Sequence, residues 1–341
     1  MDTAVYALTA TGAVQARELA SGIGAQCFVL ERYAAGQDVP FRSLGDLVAG
    51  TFSAYRAHVF VAATGIVVRV IAPLLRSKAA DPAVVVVDQN GRFAISLVSG
   101  HLGGANELAR LVGEKIGATP VITTATDCAG TVSIDLLAVD NGLAITDTGP
   151  IRHVNAALLD GERVALCDPG GFLDLSGVED RFYNVEDIAE LGEKRCGVLV
   201  DWHAHSLPDT VLALYPRCLS VGVGCRRGTP SAEILELVGK VFAENGIARE
   251  SVFCMSSIEA KADEPGLIEA AGSLGLELKF YSAEELGEIT VANPSGMVMK
   301  HMGVNGVCEA AAMKTAGATE LLVPKTKSAR VTVAVALAVS G

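Results

Sequence analysis

The sequence predicts an α/β protein. N-terminal and C-terminal α/β domains with mostly parallel or mixed sheets are joined by a smaller α/β or α+β middle segment. Three observations carry this. Short apolar, β-branched runs alternate with helical stretches through the first and last parts of the chain. The 36 glycines against 12 prolines suit many tight strand-to-helix turns. At about 150 residues per domain, 341 residues make two or three domains, and 50% hydrophobic content fills a core in each. The boundaries fall at 1–132, 133–216 and 217–341.

In the first domain, Ala4–Thr9 is a short apolar strand and Ala13–Ser21 a helix. Cys27–Leu30 and Ala57–Ala63 are strands. Thr64-Gly65 then opens an apolar helix, Ile66–Leu75, which Pro73 stops or kinks. Ala83–Val87 is almost purely β-branched and fits a strand buried on both faces. Asp88–Gly91 makes a turn into strand Phe93–Val98, followed by helix Gly103–Ile116 and strand Pro120–Ala125. The middle segment offers strands at Leu136–Val139, Val164–Cys167, Gly197–Val200 and Val211–Leu214, and helices at His153–Leu159 and Val185–Leu191. The last domain runs through strand Leu219–Val223, helix Ser231–Glu244, strand Val252–Met255, helix Gly266–Leu274 and strand Leu276–Tyr281. Ser282 caps a helix to Leu286. Helix Val307–Thr315 and strands Glu320–Pro324 and Arg330–Ala338 complete it.

Charge and composition narrow the function. Lys plus Arg is 27 and Asp plus Glu 39, so the net charge is −12. That disfavours a nucleic-acid partner, which calls for a basic face. The start lacks a basic n-region, and no apolar stretch reaches the about 20 residues of a membrane span. Eight cysteines are scattered without a C-x-x-C pair, as in reduced core thiols of a cytoplasmic protein. Disorder, collagen and coiled coil are excluded.

Five segments carry candidate chemistry. The sharpest is Ser96–Arg110. A strand ends at Val98, a turn of small residues runs Ser99-Gly100-His101-Leu102-Gly103-Gly104, and a helix begins. Its glycines let backbone N–H groups approach a ligand, and the helix N-terminus favours an anion. His101 and Glu107 are acid–base candidates and Asn106 a hydrogen-bonding one. The competing reading is a tight turn whose polar groups only satisfy the backbone. The second segment is Thr123-Thr124-Ala125-Thr126-Asp127, hydroxyls and a carboxylate at a strand end, where sites in open α/β sheets lie. A capping cluster is its alternative. The third, Val221–Thr229, holds Gly222, Gly224 and Gly228 with Arg226 and Arg227. It fails the dinucleotide fingerprint, because Arg227 stands at the third glycine. A glycine turn with two guanidiniums suits carboxylates instead, or is a solvated loop. The fourth is Ser256-Ser257-Ile258-Glu259-Ala260-Lys261, where Glu259 and Lys261 alternate onto one side as an acid–base or surface ion pair. The fifth is Asp201-Trp202-His203-Ala204-His205. Two histidines two apart need a third ligand from elsewhere, none is identified, and no metal site is expected.

Taken in order, these segments resemble one family. Thr64–Arg69, Asp81–Asp88, Leu97–Ala109 and Val121–Asp127 are similar to the N-terminal region of the cobalt-precorrin-5A hydrolases of oxygen-independent cobalamin biosynthesis. Gly222–Gly228, Ser256–Glu264, Gly303–Ala312 and Lys325–Ala336 resemble the same family's C-terminal domain. The resemblance implies a small-molecule substrate, a cobalt-containing, ring-contracted tetrapyrrole bearing a lactone. Water opens the lactone and a two-carbon fragment leaves as acetaldehyde, giving cobalt-precorrin-5B. No organic cofactor is implied, since cobalt arrives with the substrate. Transient contact with neighbouring pathway enzymes is compatible with such a route.

A polycarboxylate substrate makes Arg69, Arg226, Arg227 and the turn after Ser99 into clamps, with Gly65, Gly100, Gly103, Gly104, Asn106, Thr123, Thr124, Thr126, Asp127, Gly222, Gly224, Gly228 and Ser257 beside them. His101, Glu107 and Glu259 become general-base candidates and Lys261 an acid or electrostatic partner. The 5% aromatic content gives a large flat substrate little to stack on. Two other readings stand beside this one. One is a corrinoid-binding or handover protein without catalysis, since the C-terminal domain alone resembles a stand-alone pathway protein. The other, disfavoured by Arg227, is a nicotinamide oxidoreductase.

Overall fold

The computed structural model describes residues 2–77, 80–192, 194–291 and 306–338. The chain forms two compact units. The first comprises Met1–Val139 and Ile151–Arg163, the second Asp140–Pro150 and Val164–Gly341. Both are α/β.

The first unit is built on a seven-stranded sheet. Its strands are β1 (Thr3–Ala7), β2 (Gln26–Leu30), β3 (Val39–Phe41), β4 (Ala57–Val61), β5 (Ala83–Val87), β6 (Phe93–Val98) and β7 (Thr119–Val121), in the order β3-β2-β1-β4-β5-β6-β7. Alternate side chains enter opposite cores, as the two-residue repeat of a strand requires. Val85 and Val87 pack with helices α1 (Ala10–Ile23) and α4 (Ala105–Ile116). Val84 and Val86 pack with α2 (Leu44–Thr51) and α3 (Thr64–Ile71). All neighbours are parallel except β5 and β6. The connection from Val87 to Phe93 is too short for a crossover, so a hairpin is the only solution. The Asp88 carboxylate ties it by accepting from the N–H groups of Asn90, Arg92 and Phe93. This reversal places the carboxyl ends of β6 and β7 at the sheet edge where β5 begins.

Much of the scarce aromatic content is spent inside this unit. Tyr6, Phe28, Phe41, Phe52 and Phe60 are buried, with Tyr6 stacked on Phe60 at 4.6 Å. Fully buried His58 accepts or donates at Tyr6 Oη (3.0 Å) and meets the Phe52 carbonyl (3.2 Å). Burial pushes its imidazole down to about 4. The unfolded chain therefore binds more protons than the folded one between that value and the ordinary histidine pKa of about 6.5. Stability is expected to fall as pH drops through this window, by up to about 3 kcal/mol. Urea unfolding from pH 7 to 4.5 checks this. His58→Gln should flatten the profile, and an unchanged slope would remove the assignment.

The second unit holds two five-stranded sheets. One contains β8 (Leu143–Ala144), β9 (Val164–Cys167), β10 (Phe182–Asn184), β11 (Gly197–Val200) and β12 (Val211–Pro216), in the order β10-β9-β11-β12-β8 with only β8 antiparallel. The other contains β13 (Leu219–Cys225), β14 (Val252–Ile258), β15 (Glu277–Tyr281), β16 (Val323–Lys327) and β17 (Val331–Leu337), in the order β15-β14-β13-β17-β16. β13, β14 and β15 are parallel, whereas β17 runs antiparallel to β13 and to β16. Val221 and Val223 face a core shared with Ile234, Leu237 and Val241 of Ser231–Glu244 and Leu267 of Pro265–Leu274. Ala334 and Ala336 face the Ala-rich helix Val307–Ala316. Ser282 caps Ala283–Gly287 reciprocally with Glu285.

Several elements differ from the sequence expectation. Leu136–Val139 is not a strand but part of helix Ile134–Asp140, with Ile134 and Ala138 buried and Val139 52% exposed. A four-residue apolar run fits either state, and here the four-residue spacing prevails. The strand expected at Pro120–Ala125 ends at Val121, and Ala125–Ala129 is a short helix. The strand expected at Glu320–Pro324 is shifted to Val323–Lys327. Gly222 and Gly224 sit within β13, not in a turn. The edge strands β3, β8 and β10 and helix Leu44–Thr51 carry no periodic signal that announced them. Among the described residues, no helix is long and apolar enough to cross a membrane.

Candidate active site

The carboxyl ends of β6 and β7 hold a dense polar cluster around His101. The turn that presents it is shaped by its small residues. Ser99 adopts φ 59°, the one positive value outside glycine among the described residues, and its Oγ donates to the Asp81 carbonyl (2.9 Å). A Cβ on Gly103 would collide with the Ser99 side chain and lie 2.8 Å from its carbonyl oxygen, so this position must be bare. Gly104 caps α4 at φ 83°. The turn's own carbonyls take up the first helical donors. Ala105 N–H donates to Ser99 O, Asn106 N–H to Gly100 O and Gly104 N–H to His101 O. Those three groups are committed within the turn instead of facing a ligand.

His101 is held at both ring nitrogens. Nδ1 meets Asp135 Oδ2 at 3.0 Å and Nε2 meets Asp127 Oδ2 at 3.1 Å. Thr126 Oγ1 lies 3.3 Å from Nε2 and Ser133 Oγ 3.2 Å from Nδ1. The hydrogen bond to Asp135, its charge and those of Asp127 raise the imidazole above its usual pKa, against the opposing effect of burial. Asp135 is buried, which alone would raise its pKa. Donors from His101, Ser133 and Asn155 outweigh that and hold it at about 2. Asn155 Nδ2 reaches Asp135 Oδ1 (3.0 Å) and Ser133 Oγ (3.1 Å). Asn155 comes from helix Ile151–Leu159, which belongs to the first unit although the segment before it, Asp140–Pro150, belongs to the second.

Asp127 is the more accessible partner. It accepts from Thr124 Oγ1, Asn106 Nδ2 (3.0 Å) and Arg110 Nη2 (2.6 Å). Burial pulls its pKa up, but Thr124, His101 and Arg110 together bring it below the ordinary value. Asn106 is 2% exposed and fully engaged, accepting from Ser96 Oγ (2.7 Å) and donating to Thr124 Oγ1 (3.1 Å) as well. The structure thus joins two sequence segments, Ser99–Asn106 and Thr124–Asp127, through one imidazole. It brings in Arg110, the last residue of the first segment, and adds Ser133, Asp135 and Asn155, which no motif signalled.

Most of the other candidates lie apart from this cluster, and Glu107 touches it only through Arg110. Glu107 is 69% exposed and pairs with Arg110. Thr123 is exposed. Gly65 opens the helix leaving the carboxyl end of β4, which is the opposite sheet edge, and Arg69 Nη1 donates to the Gly65 carbonyl (2.9 Å). In the second unit, a Cβ on Gly222 would run into the Cys308 carbonyl and lie 2.7 Å from Ala312 N. Gly222 is bare because helix Val307–Ala316 lies against it. The Gly224 position faces Thr332 Oγ1. The true turn is Arg226–Thr229, with Gly228 at φ 71° donating its N–H to Glu264 Oε1 (2.6 Å). Arg227 forms an exposed bidentate pair with Asp263 (2.9 and 3.0 Å), while Arg226 is exposed. Buried Ser257 donates to the Val223 carbonyl (2.7 Å). Glu259 and Lys261 do not project together, because Glu259–Lys261 is a 3-10 turn and not a continuing strand. Glu259 is exposed, and buried Lys261 lies 3.4 Å from buried Glu264 instead. Gly303, Val304 and Asn305 of the Gly303–Ala312 segment lie outside the described residues.

Comparison with known proteins gives this architecture its context. Three regions match sequence families in order: "Cobalamin synthesis G N-terminal" over 46–127, "Cobalamin biosynthesis central region" over 132–216 and "Cobalamin synthesis G C-terminus" over 219–336. The chain is 36% identical over 302 residues to the cobalt-precorrin-5A hydrolase of Priestia megaterium, covering 85% of this chain and 81% of that one. It is 35% identical over 321 residues to the enzyme of the same name from Salmonella typhimurium, covering 91% and 90%. "Protein CobE" of a Sinorhizobium species is 36% identical over 121 residues, 35% of this chain and 79% of that one. These matches define an enzyme of cobalamin synthesis, of hydrolase type. More particularly, the chain belongs to the cobalt-precorrin-5A hydrolase family.

Proposed function

We propose that this enzyme hydrolyses the lactone of cobalt-precorrin-5A and releases acetaldehyde to give cobalt-precorrin-5B, with His101 as its proton-transfer group. The observation that carries the reading is the Asp135–His101–Asp127 arrangement at the carboxyl ends of two adjacent strands. Nδ1 is tied to the buried side, where Asp135, Ser133 and Asn155 fix the ring. Nε2 faces the more accessible Asp127 and is the working nitrogen. Water adds to the lactone carbonyl, the acyl–oxygen bond breaks, the imidazolium gives its Nε2 proton to the departing oxygen, and the two protons of the water pass to solvent as the carboxylate forms. The neutral imidazole then takes back the proton of the hydroxyl just formed. The carbon–carbon bond breaks, its electron pair enters the conjugated macrocycle, acetaldehyde leaves, and the imidazolium passes the proton to the ring carbon.

No organic cofactor enters this scheme, and the cobalt belongs to the substrate. The eight free cysteines support a cytoplasmic setting. The test is anaerobic incubation of the purified protein with cobalt-precorrin-5A, following acetaldehyde and the mass of the corrinoid. Release of acetaldehyde with the matching mass loss supports the reading. Tight binding of an unchanged substrate would favour the handover alternative.

A further inference from the structure

The second unit carries a trio of side chains that the hydrolase chemistry leaves unused. β11 ends at Val200, and the chain runs on through Asp201, a bend at Trp202, His203, Ala204 and His205, with His203 bridged to Ile247. The bend brings the side chains of Asp201, His203 and His205 together. Asp201 Oδ1 lies 3.0 Å from His203 Nδ1, and Asp201 Oδ2 lies 2.8 Å from His205 Nε2. One ligand atom from each residue falls within 4.8 Å of the other two. Metal–ligand bonds of about 2.0–2.1 Å in a tetrahedral site put ligand atoms about 3.3 Å apart. The trio already approximates one face of that tetrahedron.

The frame is rigid where it needs to be. Asp201 N–H donates to Leu214 O (3.2 Å), Ala204 N–H to Gly246 O (2.7 Å) and Ala248 N–H to Trp202 O (3.0 Å). These bonds pin the strip from both sides. The carboxylate is buried, whereas the imidazoles are 41% and 25% exposed. A buried anion under two half-open imidazoles leaves the solvent side for further ligands. The missing third ligand of the histidine pair is therefore Asp201, inside the same pentapeptide.

We propose that Asp201, His203 and His205 bind a divalent first-row transition ion of the zinc, cobalt or nickel class, with the fourth position open to water. Two neutral imidazoles and one carboxylate form the donor set that such ions prefer over calcium or magnesium. The ion replaces the protons now shared between Asp201 and the histidines. This site shares no residue with the His101 cluster, so it does not depend on the proposed reaction.

The chain carries its own reporter. Its single tryptophan, Trp202, stacks on the His203 ring at 3.4 Å between centroids. The full-length protein, stripped with EDTA and desalted, is titrated with Co(II). Saturable quenching of Trp202 at one equivalent is expected, together with the visible bands of four- or five-coordinate Co(II), and reversal by Zn(II). His203→Gln/His205→Gln should abolish both signals. Asp201→Asn should weaken binding by at least about tenfold, since even partners behind the ligands cost that much. Thermal unfolding of each variant separates lost ligation from lost folding. No saturable quenching in the wild type, or signals unchanged in the folded double variant, would overturn the proposal.

Discussion

Replacing His101 with Asn is expected to lower acetaldehyde release by about 10²–10⁴-fold, the range for removing a positioned acid–base group. Asn can still donate to Asp135, so the cluster should hold together while proton transfer is lost. Asp135→Asn is the companion variant, and it acts through position and charge. The wild-type rate should decline as pH rises through the raised His101 pKa, because the first step needs the imidazolium. Removing the Asp135 charge lowers that pKa, since it is the largest upward influence, and the decline should move to lower pH. A purely structural role for Asp135 would reduce active protein without moving the profile. Glu107→Ala and Glu259→Ala, both at exposed positions, should stay within a few-fold of wild type. Wild-type turnover in His101→Asn would sink the assignment.

Gly222→Ala is expected to be the most damaging single-methyl change in the C-terminal sheet. The new Cβ has nowhere to go, because the atoms it meets are the Cys308 carbonyl and Ala312 N, both backbone of one helix. β13 is equally confined, paired with β14 on one side and β17 on the other. The helix must move off the sheet, opening the packing of Cys308, Ala311 and Ala312. Overpacking of this kind costs about 1–3 kcal/mol and more when backbone must shift. Gly224→Ala is the control. Its nearest neighbour is the Thr332 hydroxyl, which can rotate away, so the cost should stay below about 1 kcal/mol. Urea midpoints compare the two directly, and equal stability would contradict the packing account.

Much of the architecture was legible because buried parallel strands write themselves as continuous β-branched runs. Ala83–Val87 is the clearest case, buried on both faces of its sheet. What escaped was short or interrupted. Val39-Pro40-Phe41 is a three-residue edge strand with a proline in it, and Leu136–Val139 is too short to separate strand from helix. At the site, the turn Ser99–Gly104 and the cluster Thr124–Asp127 stood out by composition. Their union did not, because the bond between His101 and Asp127 spans 26 residues of chain. Asp135 and Asn155 were invisible for a further reason. Each sits on an ordinary helix, and only tertiary packing turns it toward the imidazole. The glycines of β13 misled in the opposite direction, since a bare position that admits a helix looks the same in sequence as one that admits a ligand.

The helix that delivers Asn155 has a consequence for how this gene can be divided. The chain passes between its two units three times, leaving the first at Val139, returning at Ile151 and leaving again after Arg163. No single cut separates the two units, since a fragment that holds the whole first unit also carries Asp140–Pro150 of the second. A fragment ending near residue 132 would lack Ser133, Asp135 and Asn155, and its histidine would have only Asp127 and Thr126 to hold it. The stretch from 219 onward, by contrast, is contiguous and matches a family region by itself. The boundary between the central and C-terminal family regions, at residues 216–219, is a position where one break leaves the first unit whole and each of these two regions contiguous. A split-protein experiment on this enzyme should place its break near residue 217.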